Sequence, residues 1–486
     1  MNDTSLKSKI ISGLFWKFGE RITSQMVSFV VSLVLARLLS PAEYGVISIV
    51  TVFTVIANVF VVSGFSASLI QKKDASDTDF STIFYCSFAV SLICYGAIYF
   101  ASPFIADFFG EPLLLDVTRV YGISLLISSF NAVQQAYVSR KMIFKKFYFS
   151  TLFGTLGSGL LGIVSAFMGF GVWALVAQSM SNLIINSIVL LLIVPWRPKL
   201  LFSRESAKHL MSYGWKVLLA DLMGTVCDNL RSLLLGKFYT SADLAYFNKG
   251  QSFPDLICNN VSTSLNQVMF PAMANVGNDG SAVRAILRKS MQCVSFVMFP
   301  ALFLLAIVAE PLVSILLTDK WLPCVEFIQV IAVLRCVEVV SGQNIQALKA
   351  IGRSDEVLLL EFKKKPIFIV TVILGAMIST RAVAVSWLIY AVYAALVNMR
   401  PNSKLLKYSY RDQLTDLAPS FVLAFVAAVP TCALSLIIGN SIILLFVQCL
   451  LYLVVFLLLA ALVKNEAFTY LKTLVCNLLC GGKGAI

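Results

Sequence analysis

The residues able to do chemistry in this chain are few, and they sit where charge is expensive. Lys17, Glu20 and Arg21 fall inside one long apolar run, Lys216, Asp221, Asp228 and Arg231 inside a second, and Arg335 and Glu338 inside a third. A charge near the centre of a bilayer costs at least ~2.5–3.5 kcal/mol, so such groups are kept off lipid and mark either pathways or internal pairs. Spacings of three and four (Lys17/Glu20/Arg21, Asp228/Arg231, Arg335/Glu338) allow pairing along one helix face, which competes with a lining role. A fourth run tips the comparison. Asn248, Ser252, Asp255, Asn259, Ser262 and Asn266 follow steps of four, three, four, three and four, a single polar stripe on a helix, widened by Lys249, Gln251, Asn260 and Thr263. A stripe of that length faces water or a polar ligand; the competing account is hydrogen bonding to a neighbouring helix. Its weaker counterpart about 200 positions earlier holds Ser48, Thr51 and Asn58.

Other chemical signals are weaker. The run GSGLLG at 157–162 matches a dinucleotide loop but lies inside an apolar run, where Gly154, Ser158 and Gly162 recur every fourth residue as in close helix packing. The triplet Asp77-Thr78-Asp79 resembles a metal-binding DxD, yet it directly precedes an apolar run, where such residues cap a helix. Eleven cysteines are scattered without a CxxC pair and His209 is the single histidine, so zinc, redox and histidine-based catalysis are not expected, and neither is a metal or cofactor.

The elements that must position these groups are membrane helices. Of 486 residues, 59% are hydrophobic and 13% charged, against about 25% charged in an ordinary soluble domain. Apolar runs of roughly 20 residues, long enough to cross the bilayer, recur from end to end. Fourteen spans are expected, near 11–39, 43–70, 81–108, 113–138, 146–168, 172–195, 210–238, 242–275, 285–309, 325–350, 355–378, 381–399, 416–438 and 441–463. No break between them exceeds about 20 residues, which leaves no room for a soluble domain. The first run carries charge and lacks a short apolar segment with a cleavage site, so it is expected to remain as a span.

The loops sort by charge. Of 38 lysines and arginines, 27 fall on alternate breaks and the two ends, while Arg37, Lys237, Lys320 and Arg381 hold the opposite breaks. By the positive-inside rule both termini are cytoplasmic. The net charge of +13 is spread over these loops rather than gathered in one patch, which suits lipid headgroups and not nucleic acid. The chain also writes one hairpin twice: "LARLLSPAEYG" at 35–45 is echoed by "GKFYTSADLAYFNKG" at 236–250. Residues 1–200 and 201–405 therefore read as two six-helix halves, related by a pseudo-twofold axis along the membrane normal around a central cavity. Residues 406–486 add two helices and a cytoplasmic tail.

Taken together, "ISGLFWK" at 11–17, "LARLLSPAEYG" at 35–45, "GFSASLIQKKD" at 64–74, "RSLLLGKFYTSADLAYFN" at 231–248, "FPAMANVGND" at 270–279 and "FPALFLLAIVAEPLVSILLTDKWLP" at 299–323 resemble the polysaccharide exporters of the multidrug/oligosaccharidyl-lipid/polysaccharide flippase superfamily. The resemblance is strongest to the group that includes colanic acid and teichuronic acid exporters. It implies a non-enzymatic transporter of the bacterial cytoplasmic membrane that turns an undecaprenyl-diphosphate-linked oligosaccharide from inner to outer leaflet by alternating access. Partners would be the lipid-linked oligosaccharide, membrane lipids, and the polymerase and glycosyltransferases of the pathway. Such a substrate suits the residues already named: a diphosphate calls for cations such as Arg21, Arg231, Lys249 and Arg335, and sugar hydroxyls for the polar stripe. Asp221, Asp228, Asp255 and Glu338 are the candidates for coupling to H+ or Na+, because clustered carboxylates in a wet cavity take up a cation to relieve repulsion. Two alternatives share some features: a cation-coupled multidrug extruder, expected to place acids in an aromatic pocket, and a membrane polymerase or ligase, expected to need a sizeable external loop.

Overall fold

A computed structural model of the chain describes residues 3–63, 69, 76–141, 143–277 and 279–479, without the side chains of 3–15, 18, 209–213, 216, 268, 471 and 474–479. Apart from Leu69, the stretch "GFSASLIQKKD" lies outside the described residues, and so does the side chain of Lys216. The expected all-α architecture is observed: the described residues form seventeen α-helices and no strand. They are α1 (Asp3–Leu38), α2 (Pro41–Val62), α3 (Asp77–Phe109), α4 (Leu113–Gly122), α5 (Ser124–Lys141), α6 (Phe144–Phe167), α7 (Val172–Ile193), α8 (Arg204–Phe238), α9 (Ser241–Asn275), α10 (Gly280–Ile307), α11 (Ala309–Leu317), α12 (Val325–Ala350), α13 (Ser354–Ile378), α14 (Thr380–Leu405), α15 (Tyr410–Ala433), α16 (Ser441–Leu462) and α17 (Glu466–Leu479).

Among the described residues, 10 helical segments are long and apolar enough to cross a membrane. The four long helices outside that set, α8, α9, α12 and α13, include those that carry the charged and amide residues described above. Their charged and polar residues keep them outside that set. The expected span 113–138 stands as one candidate crossing, Leu113–Lys141, built of α4 and α5 with a tight turn at Ile123, whose amide bonds the Val120 carbonyl at 3.2 Å. Gly122 lets Tyr95 approach that bend, since a Cβ there would lie 3.1 Å from the ring. Two further segments were not expected as helices. The break near 310–324 holds α11 and a 3-10 turn (Asp319–Cys324), and the C-terminal segment forms α17.

The chain divides into two compact units, Met1–Ala245 and Tyr246–Ile486. In the first, α6 pairs with α7 and with α1, α5 packs on α3 and α7, and α8 lies against α2 and α3. The GSGLLG run is a packing surface. A Cβ at Gly154 would sit 3.3 Å from the Asn182 carbonyl, one at Gly162 2.7 Å from Gln178, and Asn182 Nδ2 donates to Ser158 Oγ at 3.2 Å. The Asp77–Asp79 triplet is a helix start. Ser76 Oγ accepts from the Asp79 amide at 3.3 Å, Asp79 accepts from the Ser76 amide at 2.9 Å, and Asp77 pairs with Lys199 at 2.5 Å. No group of three or more metal-ligating residues occurs among the described residues.

The twice-written hairpin has the same physical content each time. Ser40 and Glu43 form a capping box at the start of α2, with Pro41 at its first position; Thr240 and Asp243 repeat it at the start of α9, the Thr240 amide donating to Asp243 at 3.1 Å and the Asp243 amide to Thr240 Oγ1 at 3.2 Å. The two starts touch. A Cβ on Gly45 would lie 1.8 Å from the Ser241 carbonyl oxygen, a separation only a hydrogen side chain permits.

In the second unit α10 is central, packing on α12, α15 and α17, while α14 joins α12 to α13. Leu287, Met298 and Leu302 of α10 and Tyr452 of α16 are fully buried in one continuous core. Buried amides stitch these helices together. Asn402 Nδ2 donates to Asn344 Oδ1 at 2.7 Å, Asn344 Nδ2 to Gln413 Oε1 at 3.0 Å, and Asn398 Nδ2 to Ser341 Oγ at 2.6 Å. Such bonds hold helices together where lipid provides no hydrophobic drive.

Candidate functional site

The charged helices of the second unit converge on one guanidinium. Arg335, ten residues into α12, forms ion pairs with Glu338 one turn on and with Asp255 of α9. Glu338 also accepts from Trp387 Nε1 of α14 at 3.1 Å, and the Trp387 ring lies 4.9 Å from the Arg335 guanidinium carbon. Gln251 donates to Asp255 at 3.0 Å. Three helices thus hold two carboxylates and one cation, with side chains 17% (Arg335), 26% (Asp255) and 29% (Glu338) exposed. Arg335 Nε is buried without a hydrogen-bond partner. The phenylalanine behind the tryptophan, Phe247, is buried 6.4 Å from it and 5.5 Å from Phe327.

This arrangement has a defined electrostatic capacity. Two carboxylates on one guanidinium leave a formal excess of one negative charge, so the cluster can accept a cation, or surrender Arg335 to a stronger anion while its own carboxylates are neutralised. Taking charges out of water costs several kcal/mol each, which is recovered only while every member is paired.

The polar stripe of α9 divides by environment. Ser252 and Asn259 are exposed, Asn248 and Ser262 are half-buried, Asp255 is held by Arg335, and Asn266 accepts from Gln343 Nε2 at 3.2 Å. Gln343 in turn accepts from Ser290 Oγ at 2.7 Å. The end at Asn266 is thus an interhelical hydrogen bond and Asp255 an interhelical ion pair, with Ser252 and Asn259 exposed on either side of it. Two prolines, Pro254 and Pro271, lie within α9, each removing an amide from the helical ladder. Lys249 is buried, its amine 5.8 Å from the centre of the Trp321 ring.

The remaining named residues belong to the first unit. Arg21 is half-buried on α1, where Lys17 lies 5.5 Å from the Phe144 ring. On α8, Arg231 is buried while Asp221 and Asp228 are exposed. The sequence reading overlooked Trp387. A tryptophan inside an apolar run needs an acceptor for its N–H, and that requirement was the available signal.

Comparison with known proteins then places the chain. The sequence model of a family described as polysaccharide biosynthesis protein matches residues 34–326. The teichuronic acid biosynthesis protein TuaB of Bacillus subtilis is 24% identical over 72% of this chain and 73% of its own length. The lipopolysaccharide biosynthesis protein WzxC of Escherichia coli is 21% identical over 90% of each. Among solved structures, the lipid II flippase MurJ in an inward closed conformation superposes with a TM-score of 0.73, at 14% identity, over 94% of this chain and 99% of its own. An inward-facing multidrug transporter of the MATE family gives 0.62, at 16% identity, over 79% and 96%.

Proposed function

The chain belongs to the polysaccharide biosynthesis protein family, and from that premise we propose that it is a flippase. Its cargo is an oligosaccharide repeat unit on undecaprenyl diphosphate, moved from the inner to the outer leaflet of the bacterial cytoplasmic membrane for surface polysaccharide synthesis. The observation that carries the reading is the Arg335 cluster, set beside the exposed Ser252 and Asn259 of α9 in a member of this family.

The proposed division of labour follows from chemistry. Arg335 is the leading candidate to receive the diphosphate, because guanidinium and phosphate match as a charge-assisted fork; Lys249 of the same unit, and Arg21 and Arg231 of the first unit, are further candidates. Asn248, Ser252, Asn259 and Ser262 receive sugar hydroxyls; the polyprenyl tail stays in lipid. Asp255 and Glu338, released from Arg335 when a diphosphate takes their place, become the carboxylates that bind H+ or Na+, with Asp221 and Asp228 as further candidates. Exchange of partners at Arg335 gives the two access states different stabilities, which is what coupling requires.

Fourteen spans, two six-helix halves and cytoplasmic termini complete the proposal, supported by the loop charges. The polymerase and glycosyltransferases of the same pathway act on either side of the step. The multidrug extruder shares the fold; the relatives that cover nine tenths of the chain favour the glycan. Deletion of the gene tests the reading: lipid-linked repeat units should accumulate on the inner leaflet, and their normal appearance outside would refute it.

A further inference from the structure

One corner of the second unit holds charge that transport leaves unused. The starts of α10 and α15 enclose a cavity of about 410 Å³ lined by Arg284, Arg288 and Arg411. It shares Arg288 and Asp416 with a second cavity of about 300 Å³ that reaches Lys464. A third, of about 470 Å³, runs from Lys464 to Lys289 and Tyr470 of α17.

Of the acids in this groove, Asp412 and Asp416 are occupied from behind, while Glu466, at the second and third cavities, is exposed and accepts from Gln292 Nε2 at 3.3 Å. Asp416, its side chain 7% exposed, accepts from Arg288 Nε at 2.8 Å, Gln292 Nε2 at 3.0 Å and Tyr408 OH at 2.8 Å. Asp412 caps α15 through Ser409 and takes Arg284 at 3.3 Å. That bonding uses the Arg288 Nε edge, and the side chains of Arg284 and Arg288 remain 41% and 52% exposed. Arg411 is exposed and has no acidic partner among the described residues. Arg284 is steadied 5.7 Å from the Tyr408 ring and Lys289 3.8 Å from the Tyr470 ring. Beyond the groove, α15 presents a line of exposed apolar side chains, Leu414, Phe421, Val422 and Phe425.

We propose that this groove binds the phosphate-bearing headgroup of an anionic membrane lipid, with its acyl chains along the apolar line of α15. Convergent guanidiniums suit a phosphodiester, and basic pockets at the ends of membrane helices take such headgroups. The adjoining apolar line is what distinguishes a lipid from a free phosphate ion, which needs none.

The test uses the full chain, stripped of lipid in detergent, incubated with phosphatidylglycerol or phosphatidylcholine and analysed by native mass spectrometry. Phosphatidylglycerol should be retained about fivefold over phosphatidylcholine, and Arg411→Gln should cut that retention about fivefold, the worth of one basic residue at a membrane surface. Arg284→Gln should do the same, while Arg288 is kept so that Asp416 is not stranded. Inorganic phosphate at equal concentration should displace none of it. Equal retention of the two lipids, or unchanged retention in Arg411→Gln, would overturn the proposal, and displacement by inorganic phosphate would make the groove a free-anion site instead. Each failure leaves the flippase reading standing, because Arg335 takes no part.

Discussion

Arg335 binds two carboxylates with one guanidinium, so its replacement strands both. Breaking a buried pair costs about 3–5 kcal/mol; with side chains 17% to 29% exposed, about 2 kcal/mol is the expected loss for Arg335→Gln. The melting temperature in detergent should fall accordingly. It should recover in the triple variant carrying Asp255→Asn and Glu338→Gln as well, where no uncompensated charge remains. Equal melting of Arg335→Gln and parent would show that the three groups are not coupled. Arg335→Lys keeps the charge but gives up the fork, so its export should lie between those of the parent and the Gln variant. Trp387→Phe removes one donor to Glu338 and should cost about 1 kcal/mol, read in the same melts. Asp255, Arg335 and Glu338 were all legible in the sequence, as was the i,i+3 pairing of the last two. The partnership of Asp255 with Arg335 was not, because it joins residues 80 positions apart whose approach depends on how α9 packs against α12.

Helix periodicity, caps and small-residue spacing are local properties, so most elements could be read before any tertiary structure was known. The capping boxes at Ser40 and Thr240 and the glycine face of α6 follow directly from their residues. The bend at Ile123 and the helices α11 and α17 escaped notice, since a tight turn within an apolar run leaves hydropathy unchanged and short amphipathic helices lack the length of a span. Contact between the two hairpin starts has no local signature either, because it joins residues about 200 positions apart. It yields a sharp prediction. Gly45→Val should lower export and melting temperature, because its Cβ meets the Ser241 carbonyl, whereas Gly96→Ala, with nothing within 4 Å, should behave as the parent apart from helix propensity. Export by Gly45→Val at the parental level would show that the hairpins separate without cost.

At the scale of the whole molecule, the proposed orientation rests on the loop charges and the proposed cargo contacts rest on the charged helices. In a chain free of native cysteines, single cysteines near positions 41, 110, 241 and 320 should react with an impermeant thiol reagent added outside, while those near 73, 143, 203 and 405 should not. External labelling at 203 would reverse the orientation. What the helix pattern could not convey is which charges are spent on one another and which await a ligand. That distinction rests on side-chain partners such as Trp387 and Gln343, which lie on helices distant in sequence from those they serve.

A protein that moves a diphosphate-linked glycan across a bilayer must do so when purified. The most direct measurement reconstitutes the purified protein in vesicles loaded with a fluorescent undecaprenyl-diphosphate oligosaccharide, then follows how much becomes accessible to an impermeant quencher. Vesicles containing the parent should exchange the glycolipid between leaflets faster than protein-free vesicles, with Arg335→Gln slowed at least tenfold. Exchange no faster than in protein-free vesicles would contradict the account.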